Sequence, residues 1–376
     1  MEINNWLLNN EWMKKVLIID NSSHLTGAFK SIYGFIQEIP DVQFVFCIPY
    51  NSTLKTSLPE NSYFTLPFIE IQRSWKILLY FPVLLINSFR IFVQVKKRKI
   101  QVIHVNDMYN MCGIIVKMCV PSLKLIHHIR LLPSSYSAPL YSVWKWLIVK
   151  AANHIICVSQ AVRKNWPDFS HIHVIHDAFP VSEDIVKPDY IGNPVRFLYL
   201  SNYIKGKGQE YALEAFRELT KEGTEGRLIF AGSDMGLEKN KRFKETLIQQ
   251  AKSFKIEDRV VFKDFIKNVE SEIKEADVFL NFSDSESFSM TCLESSFFGT
   301  PVIATDCGGP SEIIENEKTG FIVPVKNIDA MKNAMLKLAS DTALRQKFSK
   351  QGQIRVAQFF NIQNQAKRLT SIYNTV

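Results

Sequence analysis

The feature that most limits what this chain can become is a repeated alternation. Short runs rich in β-branched and aromatic residues are separated by stretches of helical periodicity, in two series with a proline-rich interruption between them. In the first series the apolar runs fall at 15–20, 42–48, 64–72, 101–105, 123–129, 154–158 and 171–176, with helical patterns such as 29–38, 75–95 and 143–152 between them. Strands that are apolar on both sides and alternate with helices belong in a parallel sheet covered on both faces. From 178 to 194 the pattern breaks, and Pro180, Pro188, Gly192 and Pro194 with nearby acidic residues read as a linker. A second series follows at 195–201, 227–232, 259–263, 277–282, 301–304 and 320–324. The expected fold class is α/β, with two Rossmann-like, doubly wound parallel-sheet domains. The first is expected over 1–180, a linker over 181–194 and the second over 195–355, with a last helix in 356–376 crossing back to the first domain.

Size and composition fit this reading. A chain of 376 residues is long for a single core. At 46% apolar and 22% charged residues it can bury a core without staples. The six cysteines are scattered, with no Cys-x-x-Cys pair, which argues against a zinc site or disulfide framework and for a reducing, cytoplasmic setting. Residues 1–12 lack the apolar run of a secretory signal, so they read as a loose leader, or Met13 as the native start. The net charge of +8 favours anionic partners such as diphosphates or a phospholipid surface. The basic run Lys96-Lys97-Arg98-Lys99 follows an apolar stretch, 77–95, that is interrupted by Pro82, Asn87 and Arg90. That stretch is too short to span a bilayer, and a core-packed helix is favoured over an interfacial one. Nucleic acid is not an expected partner, because the basic residues are spread out with no recognisable binding module.

The chemistry concentrates at the ends of the expected strands. Ser283 to Glu294 leaves the run 277–282 and enters a helix, with Glu286 on the loop and Glu294 about one turn into the helix. Ligands of open α/β sheets sit at the carboxyl ends of strands. The first N–H groups of such a helix, around Phe288, Ser289 and Met290, can receive phosphate oxygens, and carboxylates suit sugar hydroxyls. Acidic residues that merely favour a helix start are the plainer alternative. At the opening of the second series, Ser201-Asn202-Tyr203-Ile204-Lys205-Gly206-Lys207-Gly208 is a strand, a short basic loop and a helix start, again suited to phosphate. Gly232 after 227–231 and Gly27 after the first strand are candidate close-approach glycines. All eight histidines lie at or before His176, so a histidine contribution must come from the first half. His24 is a loop histidine, and His104, His154 and His176 read mainly as structural.

Downstream come Gly299-Thr300-Pro301-Val302, Gly308-Gly309-Pro310-Ser311-Glu312 and Thr319-Gly320-Phe321. With Glu286 and Glu294 in a Glu-x7-Glu spacing, this region closely resembles the family-4 (GT4) retaining glycosyltransferases of GT-B fold, whose two domains face each other across a cleft. The resemblance covers most of the second domain and, more weakly, the order of elements in the first. It implies that Glu286 contacts the donor sugar and Glu294 the ribose. It also implies that Lys207-Gly208 holds the leaving diphosphate. Asn202 stands where the family has an arginine, a departure that leaves Lys205 or Arg130 to compensate. Phe265 and Ile266 match the loop that packs the nucleotide base, though either could be core. At the end of run 123–129 the family's strand-end position falls on His128 or, shifted by two, on Arg130.

The implied activity is transfer of a hexose, with retention, from a nucleotide-diphosphate sugar to a saccharide or lipid-linked saccharide. Cell-surface polysaccharide synthesis is the expected setting, with a peripheral contact on the inner face of the plasma membrane. No metal and no cofactor beyond the donor substrate are expected, since there is no Asp-x-Asp cluster. The rival readings are a catalytically impaired subunit that binds substrate or stabilises a partner, a nucleotide-sugar epimerase or hydrolase, and, less favoured, a periplasmic-type binding protein.

Overall fold

The computed structural model describes residues 13–68, 79–180 and 194–375. The leader at 1–12, the end of the run 64–72, the start of the helical pattern 75–95 and most of the linker 181–194 lie outside the described residues.

The chain divides into two compact units. One comprises Met1–Val158, Trp166–Ile175 and Gln363–Val376, the other Ser159–Asn165 and His176–Ile362. The elements run β1 (Lys14–Ile19), α1 (Gly27–Gln37), β2 (Val42–Pro49), β3 (Tyr63–Leu66), α2 (Tyr80–Arg98), β4 (Val102–Val105), α3 (Cys112–Cys119), β5 (Lys124–Ile129), α4 (Ala138–Ala151), β6 (His154–Cys157), α5 (Gln160–Arg163) and β7 (Ile172–Val174). They continue with β8 (Val195–Leu200), α6 (Gln209–Lys221), β9 (Gly226–Ala231), α7 (Glu238–Ser253), β10 (Val260–Lys263), α8 (Val269–Glu275), β11 (Val278–Asn281), α9 (Met290–Phe297), β12 (Val302–Thr305), α10 (Pro310–Ile313), β13 (Gly320–Val323), α11 (Ile328–Ser340), α12 (Thr342–Phe359) and α13 (Ile362–Thr375).

Among the described residues the first unit carries a seven-stranded sheet in the order β3-β2-β1-β4-β5-β6-β7. The second carries a six-stranded sheet in the order β10-β9-β8-β11-β12-β13. The pairings are parallel throughout. Both sheets reverse direction of growth beside their own first strand, between β1 and β4 and between β8 and β11. Such switch points open a crevice at the carboxyl ends of the strands, because the two flanking helices leave on opposite faces.

Local chemistry starts and stops the elements. Thr26, in extended backbone, accepts the Phe29 N–H on its Oγ1 and caps α1, which turns Phe29, Ile32, Phe35 and Ile36 inward. In the second unit α6 lays Ala212, Leu213, Phe216 and Leu219 on the sheet, joined by Met331, Met335 and Leu338 of α11. From Gln363 onward α13 groups with the first unit, where Tyr373 Oη sits 2.6 Å from His104 Nδ1 and its ring 5.9 Å from that of Phe44.

The structure corrects the core-packing expectation for the apolar stretch 77–95. Within α2 the inward side chains are Asn87, Ser88, Ile91 and Val95, whereas Phe81, Leu85, Ile86, Phe89 and Val93 face solvent. Among the described residues no helix is long and apolar enough to cross a membrane.

Candidate functional site in the second unit

The crevice of the second unit is built by the loops that follow β8 and β11, which are neighbours because these strands pair, Val278 opposite Phe197 and Phe279 opposite Leu198. The loop after β8 turns through Gly206 and Gly208, with φ of +90° and +78°. Gly208 is the left-handed N-cap of α6, and a Cβ there would lie 2.0 Å from the Phe282 carbonyl oxygen. Only glycine lets the start of α6 press against the end of β11. That approach carries Lys207 to the neighbouring loop, where its Nζ donates to Glu286 Oε1 at 2.7 Å.

Three further contacts hold the pair. Ser283 Oγ donates to the same Glu286 oxygen at 2.9 Å. The buried Tyr199 hydroxyl donates to the Lys207 carbonyl and accepts the Phe282 N–H at 2.7 Å, tying β8, the lysine loop and the end of β11 together. Burial, above all, pushes that phenol well above its ordinary pKa, so it serves as a neutral donor and acceptor. The third contact is with the Gly-Gly loop. The Glu286 N–H donates to the Cys307 carbonyl at 3.1 Å, and the Gly309 N–H donates to the Glu286 carbonyl at 2.8 Å. A Cβ on Gly309 would sit 2.1 Å from Phe288 Cα, so Gly309 is a packing requirement of the Glu286 loop.

Beyond the carboxylate the chain passes Ser289 in left-handed backbone, φ +87°. Its Oγ accepts from the Cys292 N–H at 3.4 Å and from Asn281 Nδ2 at 3.0 Å, anchoring the start of α9 to β11. Non-glycine residues rarely adopt this conformation, and where they do it often shapes a ligand site. The N–H groups of Met290 and Thr291 lie in the first turn, where a helix offers no internal acceptor. Glu294 is buried in α9. The loops thus bring together a lysine, a carboxylate and a helix start, an arrangement suited to a pyrophosphate with a polyhydroxyl group beside it.

Other expected residues have different roles. Phe288 is buried and packs between the rings of His176 and Phe360, so only its backbone can serve a ligand. A Cβ on Gly232 would lie 2.0 Å from the Ser201 carbonyl oxygen, so glycine is required there by the chain's own backbone. Asn202 Oδ1 accepts the Ser233 N–H at 3.2 Å and joins two loops. Phe265 is 71% exposed and Ile266 half-buried, which removes the core alternative for Phe265. Gly27 is exposed at the start of α1. His128 and Arg130 belong to the first unit and are buried there. His128 Nδ1 lies 3.3 Å from His104 Nε2, and its own Nε2 has no partner among the described residues. Burial first, then Arg130 and His104, push it well below the usual histidine pKa, so it is neutral. Arg130 donates to Asn106 Oδ1 at 2.8 Å and to Ser31 Oγ at 3.4 Å.

Sequence reasoning missed the role of Glu312. Its two carboxylate oxygens accept the Gln160 and Ala161 N–H groups, each at 2.8 Å, and His176 Nε2 lies 2.9 Å away. Burial alone would raise its pKa; those hydrogen bonds outweigh it and hold the carboxyl below the ordinary range. The signal available was the acidic residue closing the Gly-Gly-x-x-Glu pattern. In the first unit, Asn21, Asn87, Asn110, Tyr80 and Tyr109 help line a small hollow between α2 and the ends of β1 and β4.

Residues 182–355 match the family described as Glycosyl transferases group 1. The chain is 28% identical over 205 residues to the alpha-1,3/1,6-mannosyltransferase ALG2 of Dictyostelium discoideum, covering 51% of this chain and 49% of that protein. It is 27% identical over 179 residues to the N-acetyl-alpha-D-glucosaminyl L-malate synthase of Bacillus anthracis, covering 48% and 44% respectively. The chain thus spans about half the length of the curated relatives it matches. Among solved structures, Anabaena Alr3699/HepE in complex with UDP and glucose superposes with a TM-score of 0.79 at 18% identity, over 96% of this chain and 100% of that one.

Proposed function

We propose that this chain, whose residues 182–355 match Glycosyl transferases group 1, transfers a hexose, with retention, from a nucleotide-diphosphate sugar to a saccharide or lipid-linked saccharide acceptor. The observation that carries the proposal is the Lys207–Glu286 pair at the switch point beside the start of α9. Lys207 and the α9 amides receive the charge that grows on the departing diphosphate, and such contacts strengthen in the transition state. Glu286 orients the sugar hydroxyls and Glu294 the ribose. The acceptor hydroxyl attacks from the side the diphosphate leaves, giving its proton to a donor phosphate oxygen, so no metal and no cofactor enters the step. What His128 and Arg130 add from the first unit is read by substitution.

Cytoplasmic assembly of a cell-surface polysaccharide, in peripheral contact with the membrane, is the setting this reading gives. In support of a nucleotide-sugar donor, HepE is solved with UDP and glucose and also with UDP-glucose. The test is a hydrolysis screen over a panel of nucleotide sugars. Slow donor cleavage that Lys207→Ala abolishes supports the reading, and no cleavage of any donor with no nucleotide binding defeats it.

One observation favours a second reading, an impaired subunit. Asn202 replaces the family arginine and its Oδ1 is committed to Ser233, so it supplies no charge to a diphosphate. Tight donor binding without transfer to any acceptor would select that alternative.

A further inference from the structure

The outer face of α2 is apolar. Phe81 is 69% exposed, Leu85 61%, Ile86 50%, Phe89 68% and Val93 43%. Their spacing places them on one side of the helix, opposite the buried Asn87, Ser88, Ile91 and Val95. Exposed apolar residues are ordinary when scattered; a contiguous patch of this kind marks an interaction surface.

The charge of the same element has one sign. The 19 residues of α2 include no Asp or Glu. Arg90, Lys96 and Lys97 are exposed on the helix, and the exposed Lys99 closes it in left-handed backbone. An aromatic and aliphatic face continued by ammonium groups is complementary to an anionic bilayer. The rings enter the boundary between headgroups and acyl chains, while lysine stems lie along the apolar layer and their charges reach the lipid phosphates.

We infer that α2 docks this protein on an anionic phospholipid surface, lying in the interface with Phe81, Leu85, Ile86, Phe89 and Val93 inserted and Lys96, Lys97 and Lys99 among the headgroups. The inference stands on α2 alone. It gives the membrane contact of the proposed function a specific element, and its test requires no sugar transfer.

The experiment is co-sedimentation of the full chain with vesicles containing phosphatidylglycerol, against vesicles of phosphatidylcholine alone. Binding to the anionic vesicles is expected, at least about tenfold weaker for Phe81→Ser/Phe89→Ser. Lys96→Ser/Lys97→Ser is expected to weaken it about tenfold or more at low salt, with the difference shrinking as salt is raised. Both variants should keep the wild-type melting temperature and nucleotide binding, which separates a failure of docking from a failure of the transferase reading. No preference for anionic vesicles, or undiminished binding by the phenylalanine variant, overturns the inference. So does a wild-type dimer that Phe81→Ser/Phe89→Ser converts to monomer, since a second copy would then own the face.

Discussion

Lys207 and Glu286, 79 positions apart in sequence, meet at 2.7 Å where β8 and β11 diverge. The lysine's charge is answered before any ligand arrives, and a diphosphate must compete with the carboxylate for it. Glu286→Gln therefore has two opposed effects. It should lower kcat by roughly 100-fold or more, as loss of a preorganised polar contact at a reacting centre does. It should leave nucleoside diphosphate affinity unchanged or tighter, because Lys207 is released. Lys207→Ala should lower both. Steady-state kinetics beside calorimetric titration separates the cases, and wild-type turnover in both variants removes the assignment.

Gly208 tests the packing that brings this pair together. Gly208→Ala meets left-handed strain at φ +78° and a collision at 2.0 Å with the Phe282 carbonyl. Gly236→Ala meets comparable strain at φ +67° with nothing within 4 Å of the new methyl. The strain costs about 1 kcal/mol or a little more in each, so any excess at Gly208 belongs to the collision. We expect the Gly208 variant to melt several degrees lower than the Gly236 variant and to lose nucleotide binding. Equal melting temperatures would show that the loop gives way freely.

The parallel strands are legible in sequence because burial on both faces leaves unbroken apolar runs: 195–201 and 227–232 become Val195–Leu200 and Gly226–Ala231. Helices α7 and α12 escape such reading, since each buries few side chains, among them Leu247 and Ala251 in α7 and Phe348 and Val356 in α12. At the site, Lys207 and Glu286 are legible because each sits at a fixed offset from its own strand. Tyr199 is not, because its hydroxyl acts on a loop reached only through the pairing of β8 with β11. Gly232 is legible as a close-approach glycine, but the Ser201 carbonyl it packs against is not, because that neighbour is set by the pairing of β8 with β9.

Acid should loosen the first unit. Burial, foremost, pushes His104 down to about 3 and His127 to about 4, and lowers His128 well below its usual value. Unfolded histidines titrate near 6.5. Below that pH the unfolded chain takes up protons that the folded unit refuses, so stability falls as pH drops from about 6.5 toward 4. Asp107, raised by burial to about 7, has the opposite sign over this window: its folded form keeps a proton the unfolded form releases, so its contribution improves as pH falls. The histidines outnumber it. Trp144, Trp146 and Trp166 lie in the first unit, and the segments of the second contain no tryptophan, so intrinsic tryptophan fluorescence reports the first unit. An emission shift is expected between pH 6.5 and 4, and an unchanged spectrum at pH 4 would contradict the prediction.

Glu312 closes α5 from 152 positions away, its oxygens accepting the Gln160 and Ala161 N–H groups and His176 beside them. A four-residue helix has little cooperativity of its own. Its start depends on this carboxylate, together with the Ser159 hydroxyl that accepts the Val162 N–H at 3.1 Å. Glu312→Gln keeps the shape but surrenders one acceptor oxygen and the charge that favours a helix start, a loss of about 1–2 kcal/mol. The Gln160 and Ala161 amides should then exchange faster with solvent, while the distant Phe279 amide, paired with the Pro301 carbonyl, stays protected. Because the folded carboxyl is held below its unfolded pKa, its contribution is present above about pH 4.3 and fades as pH falls through the folded value. The gap in stability between Glu312→Gln and wild type should therefore narrow on acidification. A gap that is constant with pH, or amide exchange unchanged at Gln160 and Ala161, would mean that α5 is held by its packing and that the cap contributes little.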